Sequence, residues 1–309
     1  MLGKLFGGFA KKKDATSEKV KLSTGVGEQI LSYVGARGIP PMPGNAQKAF
    51  SLAVNPNAEA RDFIDLIKSD ESLSARILRV SNSVYFDRGK KSTSIEDAVG
   101  VIGLNELRSL LNASSLTALF PSSHPARTFA WNNDIATALF SKFLCDRFLP
   151  DMSSSAFLAG LMHDIGKLLL IQRTTDEYTK VLKRVESDGM PFHLAEAEQF
   201  PFDHTEAGLL IAERWNFTDE LKLVIRNHHL PFEQLTNSRF VGLVKVADML
   251  SYATGVVGGP AYNRFRHTIE EQNSSIWQYL DISAVEGSEL CKQLKHLYDS
   301  EADLYRPHP

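Results

Sequence analysis

Ser153-Ser154-Ser155-Ala156-Phe157-Leu158-Ala159-Gly160-Leu161-Met162-His163-Asp164-Ile165-Gly166-Lys167-Leu168-Leu169-Leu170 is an apolar run with an imidazole, a carboxylate and an ammonium in its middle. Its length and composition read as a core helix over about Ser155–Ile171. On such a helix His163 and Lys167 share one side, and Asp164 lies about 100° round from His163. Buried groups of this kind are costly unless they are paired or bind a metal. Gly160 and Gly166 keep the neighbourhood thin, so that another helix or a ligand can approach.

Outward from this stretch the pattern stays helical. Phe63, Ile64 and Ile67, then Leu73, Ile77 and Leu78, recur at three- and four-residue spacing, with Asn57 and Asp70 as expected N-caps. Thr93-Ser94-Ile95-Glu96 reads as a capping box for a helix through Val101. Gly103 ends that helix before another at Leu104–Leu119. Further helices are expected at Thr128–Phe148, Thr175–Ser187, Thr205–Trp215, Asp219–Asn227 and Arg239–Tyr252. No alternating run with hairpin turns argues for a sheet. The expected fold is all-α, a multi-helix bundle of two packed helical halves.

Breaks set the organisation. Pro40-Pro41-Met42-Pro43-Gly44 is a rigid entry loop, Pro121-Ser122-Ser123-His124-Pro125 a second break, and Gly255-Val256-Val257-Gly258-Gly259-Pro260 a third. The expected division is a flexible basic leader (1–20), an N-terminal helical subdomain (21–121), a second helical subdomain (126–255) and a helical tail (256–309).

The 309 residues are 43% hydrophobic and 23% charged, an ordinary globular balance. A net charge of −3, with Lys11-Lys12-Lys13 and Lys90-Lys91 as isolated clusters lacking interleaved aromatics, argues against nucleic-acid binding. Cys145 and Cys291 match no zinc or redox spacing. Cys145, among Phe140, Phe143, Leu144 and Phe148, reads as a buried structural thiol. A reducing cytosol, hence a cytoplasmic protein, is the expectation. No apolar run is read as a membrane span. Residues 1–13, with Leu2, Leu5, Phe6 and Phe9 among lysines, read as a frayed leader, the alternative being a contact with an anionic membrane surface or a partner groove.

Other polar residues stand where packing does not ask for them. Asp248 lies in the apolar Phe240–Leu250 helix and wants a cation, either a metal ion or a nearby Lys or Arg. His204 follows the capping Asp203. His228-His229 end a helix, where the dipole alone accounts for one cationic histidine better than two. Imidazoles and carboxylates together suit Zn, Mn, Fe or Ni, and Lys167 suits a phosphate. His124, His193, His267, His296 and His308 read as loop, surface or tail residues without a role.

His163-Asp164-Ile165-Gly166-Lys167 followed by His204, His228-His229 and Asp248 resembles the HD phosphohydrolase superfamily. Ile39-Pro40-Pro41-Met42-Pro43, the stretch Ile67–Ser83 and Thr93–Val99 through Gly103-Leu104 resemble its HDOD branch, over roughly residues 35–255. The resemblance implies an all-α fold with an HD-like second half, and a place in bacterial signalling and regulation. It implies one or two divalent ions (Fe, Mn, Zn or Ni) held by His163, Asp164, His204, His228, His229 and Asp248. The implied partners are a regulatory protein or a small phosphorylated or nucleotide ligand.

Two departures favour a non-catalytic module. Asn133 stands where the superfamily carries its first histidine ligand, and an amide oxygen is the poorer donor for such metals. Leu230-Pro231-Phe232-Glu233 replaces the Gly-Tyr-Pro signature of the cyclic-dinucleotide phosphodiesterases. The alternative is a metal-dependent phosphohydrolase or phosphodiesterase in which Asp164 and Lys167 are catalytic.

Overall fold

In the computed structural model, residues 20–305 are described apart from positions 36–37, 43, 56, 87–88 and 90. The expected basic leader, its contact through residues 1–13, Pro43 and Lys90 lie outside the described residues. No strand occurs among the described residues, so the fold is all-α.

Local chemistry sets the element boundaries. α1 (Thr24–Val34) and α2 (Gly44–Val54) flank the Pro40-Pro41 loop. α3 (Ala60–Lys68) starts at Glu59, not at the expected Asn57, because the Glu59 N–H donates to Asp62 Oδ2 at 2.9 Å. Asp70 caps α4 (Glu71–Ser81) by accepting from the Leu73 N–H at 3.0 Å. α5 (Ile95–Ile102) is capped one residue later than the sequence suggests: Ser94 Oγ accepts from the Asp97 N–H, and Glu96 turns out to Lys68. Gly103, at φ +81°, ends α5 and opens α6 (Leu104–Leu119), a backbone state that suits glycine.

Pro125 opens α7 (Pro125–Phe148), with His124 accepting from the Ala126 N–H. Buried on almost every face, α7 is the axis on which the second half is built. α8 (Ser153–Met162) and α9 (Ile165–Arg173) follow, and here the structure corrects the sequence reading. The expected single helix breaks at His163-Asp164, with Asp164 at φ −105° and ψ 18°. The break re-aims the chain so that each segment docks through its own glycine. A Cβ on Gly160 would lie 2.5 Å from the Thr137 carbonyl oxygen of α7, and one on Gly166 2.0 Å from the His204 carbonyl oxygen. The doublet is therefore held at a corner between two close backbone approaches.

The remaining helices are α10 (Thr175–Asp188), α11 (Phe192–Gln199), α12 (His204–Arg214), α13 (Asp219–Asn227) and α14 (Arg239–Ala253). α15 (Asn263–Glu270), α16 (Asn273–Leu280) and α17 (Ala284–Glu301) form the tail. α11 had no counterpart among the expected helices. α8 and α14 pack on α7, α9 packs on α12, and α2 and α6 reach α8 from the N-terminal side. Tyr305, at the end of the tail, is buried against Phe157 and bonds Glu106 of α6.

Pro150–Arg173 is 24 residues long and apolar enough by composition to cross a membrane, which the sequence reading had not counted. Its most apolar window is 89% buried within the bundle, so the apolar surface is already covered by α7, α12 and their neighbours. Cys145 is buried on α7, and burial pushes its thiol up to about 12, as expected of an inert packing residue.

Candidate metal centre

Five segments converge on the corner between α8 and α9. His163 and Asp164 sit at the corner, His204 opens α12, His228 and His229 follow α13, Asp248 lies on α14 and Asn133 on α7. His163, Asp164, His204 and His228 are at most 1% exposed, and Asp248 is 8% exposed.

The histidine tautomers are set by what holds the other ring nitrogen. His163 Nδ1 lies 2.7 Å from the Gly160 carbonyl oxygen, and His228 Nδ1 lies 3.1 Å from that of Val224. Carbonyls only accept, so both Nδ1 atoms carry a proton and both Nε2 atoms face the cluster. His204 is turned the same way by Glu196, whose Oε2 lies 2.5 Å from Nδ1 and accepts the His204 backbone N–H at 2.8 Å. Carboxylate-oriented imidazoles of this kind recur around metals.

The inward-facing atoms have metal-like separations. Asp164 Oδ1 lies 3.0 Å from His204 Nε2 and 3.5 Å from His228 Nε2, and His229 Nε2 lies 3.0 Å from His204 Nε2. Zinc–nitrogen bonds of about 2.05 Å in a tetrahedron set ligand atoms roughly 3.3 Å apart. Asp164, His204, His228 and His229 each offer an atom within 4.8 Å of all the others. On the far side of Asp164, His163 Nε2 lies 3.4 Å from both Asp164 Oδ2 and Asp248 Oδ1. His163 Nε2, His228 Nε2 and Asp164 Oδ1 are buried without a hydrogen bond among the described residues. Buried, inward-facing polar atoms without partners are what a cation site leaves behind, so the donor set fits a divalent ion.

Electrostatics follows the same geometry. Burial opposes charge on His163, yet Asp164 and Asp248 overturn it and lift its pKa to about 9. His204 is lifted to about 10 against burial by Glu196 and Asp164. Burial alone dominates at His228 and His229, and both are lowered. Burial would raise the Asp164 carboxyl, but His163, Lys167 and His204 hold it well below the usual range.

Of the residues singled out from sequence, His163, Asp164, His204, His228, His229 and Asp248 all meet here. Lys167 bonds Asp164 Oδ2 and lies 4.5 Å over the Phe192 ring, so its ammonium is spent inside the cluster. Asn133 Nδ2 donates to Asp248 Oδ1 and to Ser251 Oγ, both at 2.9 Å, while Asn133 Oδ1 is buried without a hydrogen bond among the described residues.

Three participants escaped the sequence reading. Glu196, fully buried, orients His204 and accepts from Tyr178 OH at 2.8 Å. His193, set aside as a loop or surface histidine, stacks on His229 at 4.2 Å between centroids, and burial lowers its pKa to about 4. Asp134 is 0% exposed with both carboxylate oxygens unpartnered among the described residues. Burial raises its pKa to about 8, against the pull of His163.

A pocket of about 140 Å³ opens beside the cluster, lined among others by Lys167, His193, His229, Lys245 and Asp248. A second cavity, of about 490 Å³, lies between α2 and the second half, walled by Phe50, Trp215, Phe217 and Phe240.

The family model described as the HDOD domain matches residues 39–231. An uncharacterised protein of Treponema pallidum (strain Nichols) is 24% identical over 236 residues, which is 75% of this chain and 45% of the relative. The chain thus spans about half the length of that curated relative. A candidate signal transduction protein of Marinobacter aquaeolei VT8 superposes with a TM-score of 0.74 at 23% identity, over 91% of this chain and 64% of the other. A candidate phosphohydrolase of Shewanella amazonensis SB2B gives 0.67 at 23% identity, over 90% and 97%. At these identities the two structures speak for the fold.

Proposed function

The chain belongs to the HDOD domain family, and on that premise we propose that it is a bacterial regulatory signalling module whose HD-type cluster holds one or two divalent ions without turning over a substrate. The observation that carries the metal reading is the spacing of the Nε2 and carboxylate atoms around Asp164, 3.0 to 3.5 Å. His204, His228, His229 and Asp164 would hold one ion, and His163, Asp164 and Asp248 a second. Such an ion supplies Lewis acidity when bound. The imidazoles and Glu196 fix its position and exclude water around it.

Three features support a binding role over turnover. The Asn133 amide nitrogen is committed to Asp248 and Ser251, and its oxygen is a poorer metal donor than an imidazole. Lys167 is committed to Asp164 instead of facing a phosphate. The pocket beside the cluster, about 140 Å³, is small against the roughly 300–1,000 Å³ of small-molecule sites. The division into subdomains 21–121 and 126–255 belongs to the same proposal. Between them, the 490 Å³ cavity has aromatic walls and no lysine or arginine in its described lining, which suits an apolar segment of a regulatory protein.

The second reading is a metal-dependent phosphohydrolase acting on a nucleotide or other phosphoester, with Asp164 and Lys167 at the reacting centre. It is favoured by Lys167 and Lys245 lining the pocket beside Asp248 and His229, where a small phosphorylated ligand would find ammonium groups and, in neutral His193, a further hydrogen-bonding ring. Assay of a generic phosphodiester and a panel of cyclic dinucleotides, with Mn or Fe added, separates the two. The regulatory reading expects bound metal and no turnover. Turnover that vanishes in Asp164→Ala overturns it.

A further inference from the structure

Asp134 has no hydrogen-bond partner in the cluster described so far. It lies on α7 next to Asn133, the position where the resemblance places an imidazole ligand. Its carboxylate offers an oxygen within 4.8 Å of ligand atoms on both His163 and Asp164. It is fully buried, and neither of its oxygens finds a hydrogen bond among the described residues.

Beyond His163, the neighbouring Arg127 and Lys167 are engaged elsewhere. Arg127 donates through Nε to the Phe120 carbonyl oxygen at 2.9 Å and stacks on Trp131 at 5.1 Å. Lys167 bonds Asp164. A buried carboxylate with no partner is costly, and an apolar residue on that turn of α7 would pack without the cost. The group makes sense as a ligand.

We propose that Asp134 replaces the lost imidazole and, with His163 and Asp164, forms an oxygen-rich cation position distinct in hardness from the imidazole-rich one. The inference rests on the reading of the HD-type cluster as a metal centre. Around Asp164 the two sides then differ in chemistry. Two carboxylates and one imidazole, with the Asp248 carboxylate beside them, face one position. Three imidazoles face the other. Oxygen donors favour Mn²⁺ and imidazoles favour Zn²⁺, so this chain sorts two different ions into adjacent places.

The test titrates the metal-stripped full chain with Mn²⁺, followed by the loss of the free-ion EPR signal, and with Zn²⁺, followed by elemental analysis. Asp134→Asn, which keeps the shape and removes the charge, is expected to weaken Mn²⁺ binding by at least about tenfold and to leave Zn²⁺ uptake unchanged. Crystals of the unsubstituted protein loaded with Mn²⁺ give a reading independent of how the variant folds. The expected anomalous peak lies roughly 2.2 Å from an Asp134 oxygen. Unchanged Mn²⁺ affinity in Asp134→Asn, or manganese beyond bonding distance of Asp134, overturns this inference alone. Uptake of neither ion by the unsubstituted chain overturns the metal-centre reading as well.

Discussion

Glu196 Oε2 receives two bonds from His204, one from the backbone N–H at 2.8 Å and one from ring Nδ1 at 2.5 Å. One carboxylate thereby fixes both the start of α12 and the tautomer of its first side chain. His204 Nε2 is left 3.0 Å from Asp164 Oδ1.

Glu196→Gln weakens that control without removing bulk. Its loss of charge lowers the basicity of His204, and metal affinity is expected to fall about 10- to 100-fold. Calorimetric titration of the stripped variant with Zn²⁺ measures this. Native affinity in Glu196→Gln contradicts the orienting role.

Lys167→Met removes the ammonium that neutralises Asp164 in a site with almost no solvent. Breaking a buried pair by deleting one partner costs about 3–5 kcal/mol, and the metal-free variant is expected to lose stability on that scale in urea unfolding. Saturating divalent ion restores part of the loss, because the freed Asp164 oxygen turns to the ion. A variant insensitive to added metal argues against the shared role of Asp164.

Gly166→Ala places a methyl group 2.0 Å from the His204 carbonyl oxygen, with backbone on both sides and no flexible side chain to yield. Overpacking of this sort costs typically about 1–3 kcal/mol. Because the doublet leads into α9 and His204 opens α12, unfolding stability and metal affinity should fall together. A variant that loses neither shows that the close approach is dispensable.

The pH dependence of the metal-stripped protein has a definite sign. His163 and His204 have folded pKa values of about 9 and about 10, above the 6.5 of free imidazole. The folded state holds the extra protons, so their stabilisation is complete below pH 6.5 and is lost as pH rises through 9 and 10. Asp134, raised from 3.8 to about 8, acts in the same direction at lower pH, since the folded state resists its ionisation. The unfolding midpoint should fall from pH 7 to pH 10, and Asp134→Asn should flatten the slope below pH 8. A midpoint that rises over this range contradicts the charge assignment.

Much of the site was legible because its residues offend the local pattern. His163, Asp164 and Asp248 stand out in apolar runs, and His228-His229 are a pair where one would suffice. The Asp70 cap and the Gly103 break were legible for the same reason, each being chemistry confined to four residues. Glu196 was not, since Glu198 two places on looks identical in sequence yet faces solvent. Asp134 hides in Asn132-Asn133-Asp134, where only the packing of α7 shows which amide or acid is buried. The break at His163-Asp164 was invisible because hydrophobic periodicity runs through it. What bends the chain there is the docking of Gly160 on α7 and Gly166 on α12, a tertiary cause.

Elemental analysis of the full chain, purified without a metal-binding tag, tests the metal-centre reading most directly. The arrangement around Asp164 predicts at least one Fe, Mn, Zn or Ni per chain, retained through dialysis and lost in Asp164→Asn. A native protein free of these ions, and still free after exposure to each, would contradict it.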